Sequence, residues 1–325
     1  MAKRLSFLKK IVITGVAGFI GYHLTKKLLA AGNIVIGIDN LSPYYDVKLK
    51  EARLEELRTY PGFTFYLNDI CEIDVLVKDF PDVTHVVHLA AQAGVRYCAE
   101  KPFEYVHSNL KGQVHVLEAC RQWKSLQHFI YASSSSVYGG NLKQPFSVQD
   151  PVDKPLSLYA ATKRSAELMG YAYWHGFGIP CTGLRFFTVY GPWGRPDMAI
   201  FQFLKAMKEG KELTVYNGGD MWRSFTYIDD VIDGVMACID LKPDQHYRLF
   251  NLGGATCHSV CEVIELLEEL TGLQAKKHFE PYLVMDVPRT VADLTESFDR
   301  LGFIPKVSLK EGLGRFVRWY DTFYG

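Results

Sequence analysis

Tyr159 and Lys163 stand four residues apart in SLYAATKRSAELMGYAYW, a segment whose pattern predicts a helix, so both side chains fall on one helical face. A nearby ammonium stabilises a phenolate over a phenol, which lowers a tyrosine pKa from about 10 toward neutrality and makes the side chain a usable general base. The pair follows four hydroxyls in a row, Ser133 to Ser136, at the end of an apolar run. Spacing alone is weak evidence, because it recurs in Tyr44/Lys48, in the loop expected after Asp39, and in Tyr97/Lys101, where Pro102 disfavours a helical lysine. Those two pairs read as incidental. The bland alternative for Tyr159/Lys163, a surface tyrosine beside a solvated lysine, leaves the serine run without a purpose.

A second constellation lies near the start of the chain. Gly15, Gly18 and Gly21 form GxxGxxG between the strand-like KIVIT and a helical segment, and Asp39 follows at the end of the next apolar run. The first glycine permits a tight turn, the second lets a pyrophosphate approach the helix N-terminus, and the third lets helix pack on strand. Asp39 is then placed to accept both hydroxyls of an adenosine ribose. A glycine turn with no ligand would not need that acid, so the stretch reads as a dinucleotide site. An acid at 39 repels a 2′-phosphate, which favours NAD over NADP.

The elements that must position these residues follow from the rhythm of the chain. Short β-rich runs occur at 10–14, 33–38, 63–67, 84–90, 127–132 and 180–187, with helical patterns between them. They are apolar almost throughout rather than alternating, as strands buried on both faces of a parallel sheet are, so the expected class is α/β: a doubly wound parallel (Rossmann) sheet with a smaller α/β substrate-binding domain. A length of 325 residues suits about two domains. We expect residues 1–185, with a returning segment near 226–253, to bind the dinucleotide, and 186–225 with 254–325, punctuated by YGPWGRPD, YNGGD and LGGATC, to hold the substrate. Ser259 and Glu262 predict a capping box opening a helix that carries Val263, Leu266, Leu267 and Leu270 and closes at Gly272.

Composition excludes several classes of function. Thirty-six basic against 36 acidic residues leave no net charge, which argues against a nucleic-acid partner. No apolar run approaches the roughly 18 residues of a membrane span. The basic residues before Ile11 imitate a secretory leader, but the following stretch carries three glycines and no small-residue cleavage site, so a cytosolic protein is expected. Seven cysteines without a CxxC pair agree with reduced thiols, Cys257 and Cys261 being expected four apart on one helix. His85 and His88, three apart on a strand, point to opposite faces, and no metal site is expected. Asp229 and Asp230 suit the first turn of a helix.

With these residues in place, the chain resembles the extended short-chain dehydrogenase/reductases, and within them the 4-epimerases that act on UDP-glucuronate. Segments carrying the resemblance include GVAGFIG, GIDNLSPYYDVKLKEARL, HLAAQAGVRY, YASSSSVYG, SLYAATKRSAELM, LRFFTVYGPWGRPDM and RSFTYIDDV, and it extends over nearly the whole chain. It implies a catalytic set of Ser134, Tyr159 and Lys163. It implies NAD contacts at Gly15, Gly18, Gly21, Asp39, Asn40, Asp69, Ile70, Leu89, Ala90, Ala91, Gln92 and Asn109, with Tyr159 and Lys163. Arg195, Arg223 and Asp286 resemble UDP-sugar contacts, although VMDV stands at 284–287 where the family usually has PGDV, and a homodimer is implied.

Discrimination within that resemblance rests on Ser135 and Ser136. Related UDP-glucuronate decarboxylases carry Glu just before VYG, and 4,6-dehydratases an Asp-Glu pair. Serines there remove the proton carrier that those reactions use and present neutral donors that suit a substrate carboxylate. Thr188, where many relatives have Asn, offers another hydroxyl. The expected reaction is therefore NAD-dependent C4 epimerisation of UDP-glucuronate. The alternatives are a UDP-glucose or UDP-N-acetylglucosamine 4-epimerase, a UDP-glucuronate decarboxylase, or a non-catalytic NAD or nucleotide-sugar sensor.

Overall fold

A computed structural model describes residues 8–241, 246–282 and 287–325. Its largest element is a seven-stranded sheet that runs, edge to edge, Tyr247–Leu252, Cys181–Phe186, His128–Ser134, His85–His88, Lys10–Thr14, Ile34–Asp39 and Phe63–Leu67, all parallel. The expected doubly wound α/β class is the one observed. Central strands are buried on both faces: Ile11, Val12, Ile13, Val86, Val87 and Ile130 are all inaccessible. Their unbroken apolar runs follow from that placement. Phe63–Leu67 lies at an edge and is only half covered.

The chain leaves this sheet after Phe186 and rejoins it at Tyr247–Leu252, which pairs in register from Tyr247–Cys181 to Leu252–Phe186. Between and after those points come small pieces of sheet. Thr188–Tyr190 pairs with Phe225–Tyr227, Trp222–Arg223 with His258–Ser259 and Arg289–Thr290, and Glu212–Tyr216 with Lys276–Glu280. Helices Ala199–Lys208, Val260–Thr271 and Leu309–Tyr324 cover them, and their apolar faces join one core with the large sheet, in which Leu204, Leu267 and Phe316 belong with Ile11 and Ile13.

The capping box at Ser259 is present, with Glu262 closing it, and Gly272 ends the helix in the left-handed conformation. That cap also corrects one expectation. The helix begins at Val260, so Cys257 lies ahead of the His258–Ser259 strand, and the two cysteines do not share a helix. All seven cysteines are free thiols. Asp229 and Asp230 occupy the first turn of Ile228–Ile239. His85 packs edge-on against His128, while His88 meets the Thr14 hydroxyl at 2.6 Å; burial pushes His85 down to about 4 and His88 down to about 3, so both are neutral core residues.

Candidate active site

One cavity of about 1060 Å³ opens along the carboxyl ends of the sheet strands, where open α/β sheets take their ligands. Gly15 follows the first strand, Asp39 ends the second, Leu89 to Gln92 follow His85–His88, and Ser134 ends the next. The small sheets supply the opposite wall, including Thr188, Glu212, Tyr216, Arg223 and Thr290. Of the residues expected at a site, Gly15, Gly18, Gly21, Asp39, Asn40, Asp69, Ile70, Leu89, Ala90, Ala91, Gln92, Ser134, Ser135, Ser136, Tyr159, Lys163, Thr188, Arg195 and Arg223 all line this one space. Asp286 lies outside the described residues.

Asn109 stands one layer behind the wall. Buried, it accepts a hydrogen bond from the Gln92 N–H at 2.8 Å and donates to the Gln92 carbonyl and to Thr162 Oγ1, each at 3.0 Å. It therefore braces Gln92 against the helix that carries Tyr159.

At one end of the cavity the wall is backbone. Gly15 has φ +72°, and a Cβ there would sit 2.7 Å from the Ala90 nitrogen. A Cβ on Gly21 would collide with the Gly15 carbonyl. Gly18 precedes the Phe19–Ala30 helix, which has no side-chain cap and no acid in its first turn, so its N-terminal amides suit an anionic ligand. Asp39 is held by the Ala17 N–H at 3.0 Å and the Leu41 N–H at 2.9 Å, one to each oxygen, which leaves each oxygen a lone pair for a ribose hydroxyl. Asn40 donates to Asp69 at 3.0 Å and fixes that carboxylate. A dinucleotide with two ribose hydroxyls at its adenosine end fits this cradle.

The reactive groups meet at the middle of the cavity. Ser157 caps the Leu158–Phe177 helix by accepting from Ala160 N at 3.1 Å, which sets Tyr159 in its first turn and Lys163 one turn on. Ser134 Oγ accepts from the Ser136 N–H at 3.2 Å and the Ser136 hydroxyl at 2.9 Å. Lys163 Nζ donates to the Ala132 carbonyl at 3.0 Å and lies 6.0 Å from the Tyr159 ring centre. Burial, aided by the Arg195 charge, pushes Lys163 down to about 8.

Tyr159 departs from the expected electrostatics. Burial raises its pKa, and the groups that oppose the rise are the Arg195 guanidinium and a hydrogen bond with Ser134. Lys163 is directed at a backbone carbonyl instead and does not lower the tyrosine as its spacing suggests.

Arg195 belongs to a network that the sequence did not disclose. Its Nε and Nη2 bind Asp197 at 3.0 and 2.5 Å, and Tyr44 donates to the same carboxylate at 3.0 Å. Burial acts to raise Asp197, but Arg195 and Tyr44 outweigh it and hold the carboxyl below its usual range. Tyr44, read as incidental from its spacing to Lys48, thus lines the cavity and braces an arginine far along the chain; Lys48 lies on the Val47–Arg58 helix. A second hidden network lies under the serines. Glu167 pairs with Arg185 at 2.8 and 2.9 Å and accepts from Ser133 at 2.6 Å, fixing the strand end to the helix of Tyr159 and Lys163. Both charges sit inside apolar stretches, where only their improbability hints at a partner. Across the cavity, Arg96 stacks on Tyr216 at 4.1 Å.

The chain is similar to known proteins. The profile of the NAD dependent epimerase/dehydratase family matches residues 11–253. UDP-glucuronate 4-epimerase 1 of Arabidopsis thaliana is 43% identical over 97% of this chain and 77% of its own length. A UDP-glucuronic acid 4-epimerase from Bacillus cereus, solved with UDP-glucuronic acid and NAD, superposes with a TM-score of 0.91 at 38% identity, covering 97% of this chain and 100% of that one. A UDP-glucose 4-epimerase from Thermotoga maritima, solved with UDP-glucose, does so with a TM-score of 0.85 at 29% identity, covering 97% and 100%.

Proposed function

This chain belongs to the NAD dependent epimerase/dehydratase family, and from that premise we propose that it interconverts UDP-glucuronate and UDP-galacturonate by NAD-dependent inversion at C4. The observation that carries the reading is the meeting of Ser134, Tyr159 and Lys163 in one cavity with a dinucleotide cradle, beside Ser135 and Ser136 where an acid would serve decarboxylation or dehydration. Bound NAD supplies an acceptor for the C4 hydride and returns it, so no reductant is consumed.

In this reading the Tyr159 phenolate takes the proton of the C4 hydroxyl as the 4-ketone forms, and gives it back when the opposite face is reduced. Arg195 and the Ser134 hydrogen bond favour that phenolate against burial. Lys163, at about 8, still carries its charge at neutral pH, and its place one helical turn from Tyr159 suits it to hold the nicotinamide ribose of the dinucleotide. Gly15, Gly18, Gly21 and Asp39 hold the dinucleotide with Asn40, Asp69, Ile70 and Leu89 to Gln92, and Asn109 supports Gln92. Arg195 and Arg223 take the diphosphate of the UDP-sugar, while Ser135, Ser136 and Thr188 hold the C6 carboxylate. The division into 1–185 with 226–253 for NAD and the remainder for UDP-sugar goes with it.

Assembly and location complete the proposal. No described helix is long and apolar enough to cross a membrane. Phe103, 83% exposed, with exposed Val106, Val114 and Leu168 on neighbouring helical segments, supports a homodimer. Balanced charge and free thiols support the cytosol. Incubating the purified protein separately with UDP-glucuronate, UDP-glucose and UDP-N-acetylglucosamine and separating the products tests the reading. We expect UDP-galacturonate from the first and far slower turnover of the others; preferential turnover of a neutral sugar, or release of CO₂ as the main reaction, overturns it.

A further inference from the structure

At the rim of the cavity, three side chains with different donor atoms converge. Asp69 caps a short 3-10 turn, Ile70–Glu72, that carries Cys71, and its Oδ1 accepts the Cys71 N–H at 2.9 Å. His107 arrives from Val106–Lys111, a stretch wound as a π-helix, a conformation concentrated at functional positions. Its Nε2 lies 3.2 Å from Asp69 Oδ1 and 3.8 Å from Cys71 Sγ, and the three donor atoms all lie within 4.8 Å of one another.

The 3.2 and 3.8 Å separations bracket those between ligand atoms at neighbouring corners of a tetrahedron around zinc. With Zn–N and Zn–O near 2.0–2.1 Å and Zn–S near 2.3 Å, neighbouring ligand atoms stand about 3.3–3.6 Å apart. His107 and Cys71 are only partly covered, which leaves their side chains room to turn toward an ion beside the pinned Asp69 carboxylate. An imidazole with a sulfur ligand suits zinc-class ions and disfavours magnesium or calcium; the ion displaces the Cys71 thiol proton to solvent, and the carboxylate and the resulting thiolate balance a divalent charge. Asn40, bonded to the other Asp69 oxygen, would orient the carboxylate as outer partners of metal ligands do.

We propose that Asp69, Cys71 and His107 bind one zinc-class divalent ion, with a fourth position open to water, and that this ion and the dinucleotide compete for Asp69. The competition rests on the dinucleotide reading above; the metal site does not. Asp69 and His107 both line the cavity, so an ion there takes a carboxylate that the proposed cofactor uses.

Cobalt(II) added to the protein as purified tests the site directly, because a thiolate ligand produces an intense near-ultraviolet charge-transfer band. One equivalent should bind with that band. Cys71→Ala should abolish the band and weaken binding at least about 10-fold, and His107→Gln should weaken it similarly while retaining a thiolate band at saturation. Absence of the band, or its persistence in Cys71→Ala, overturns the metal site. Zinc should also release bound NAD from the parent and not from Cys71→Ala, read by the NAD content of the filtrate. A cobalt band that depends on Cys71, together with NAD indifferent to zinc, overturns the competition for Asp69 and leaves the metal site standing.

Discussion

At the end of the cavity where we propose the dinucleotide binds, the surface comes largely from a short run of backbone, Gly15 to Gly21, with Asp39 pinned by two amides. At the end proposed for the sugar it comes from side chains on separate segments: Ser134 to Ser136 on a strand end, Tyr159 and Lys163 on a helix, Thr188 and Arg195 after the next strand, and Arg223 on a small sheet. These segments are held by long-range networks, Tyr44–Asp197–Arg195 and Ser133–Glu167–Arg185. A backbone cradle is broken by adding a Cβ, whereas a side-chain constellation is broken by removing an oxygen or a charge. The two ends should therefore fail separately.

The largest effect is expected at the sugar end. Tyr159→Phe removes the proton acceptor and should lower kcat at least about 10²-fold, the scale of general base catalysis, while NAD content stays that of the parent. Near-parent turnover would sink the assignment. Lys163→Met should also be severely impaired, with an opposite effect on stability. The folded Lys163 value of about 8 lies below the ordinary 10.5, so burying its charge costs stability below pH 8. Between about 8 and 10.5 the unfolded chain holds the proton that the folded one has released, so this contribution becomes more favourable as pH rises. Lys163→Met should thus unfold at a higher temperature than the parent at pH 7, and the gap should narrow toward pH 10; a lower unfolding temperature at pH 7 contradicts the account.

The next effect belongs to the backbone end. Gly15→Ala places a side chain at φ +72° and a Cβ 2.7 Å from Ala90 N, costing about 1–2 kcal/mol in conformation before the collision is counted. NAD affinity should fall about 10-fold, and the unfolding temperature should drop, while UDP affinity measured by calorimetry changes little. Equal losses of NAD and UDP binding would show that the two ends are coupled.

That contrast also explains what the sequence could disclose. The strands at 10–14 and 63–67, the Ser259 cap and the glycine cradle depend on neighbours in the chain, and each was legible. Tyr44 and Asp197 are 153 residues apart, and nothing in either local pattern announces the other. The Tyr159/Lys163 pair was legible as a spacing, but its electrostatics were not, because burial and Arg195 are tertiary facts. Asn109 was named as an NAD contact by resemblance, and only the fold reveals its hydrogen bonds to Gln92.

A several-fold effect is expected at Asp39. Asp39→Ala removes a ribose acceptor and a negative charge together, so NAD should weaken and the preference over NADP should shrink, measured as the ratio of their dissociation constants. The variant also releases the Ala17 and Leu41 amides, so a modest loss of stability accompanies it. A parent protein with equal affinity for NAD and NADP would contradict the role given to the charge.

The smallest change in rate carries the sharpest information about substrate. Oxidising C4 of a glucuronate leaves the C6 carboxylate β to the new carbonyl, and such a β-keto acid loses CO₂ when the bond to the carboxylate aligns with the carbonyl π system. An epimerase must hold that bond out of alignment while the sugar turns over, and orientation is its means of doing so. Ser136→Ala with Thr188→Val should slow epimerisation a few-fold and raise the fraction of UDP-4-keto-pentose and CO₂ released. Because the Ser136 hydroxyl also donates to Ser134, Thr188→Val alone serves as the control that leaves the catalytic serine's hydrogen bonds intact. It should raise the CO₂ fraction with little change in rate. If the double variant makes UDP-galacturonate as fast and as cleanly as the parent, the carboxylate is held elsewhere, and the sugar end loses the feature that separates it from an epimerase of neutral sugars.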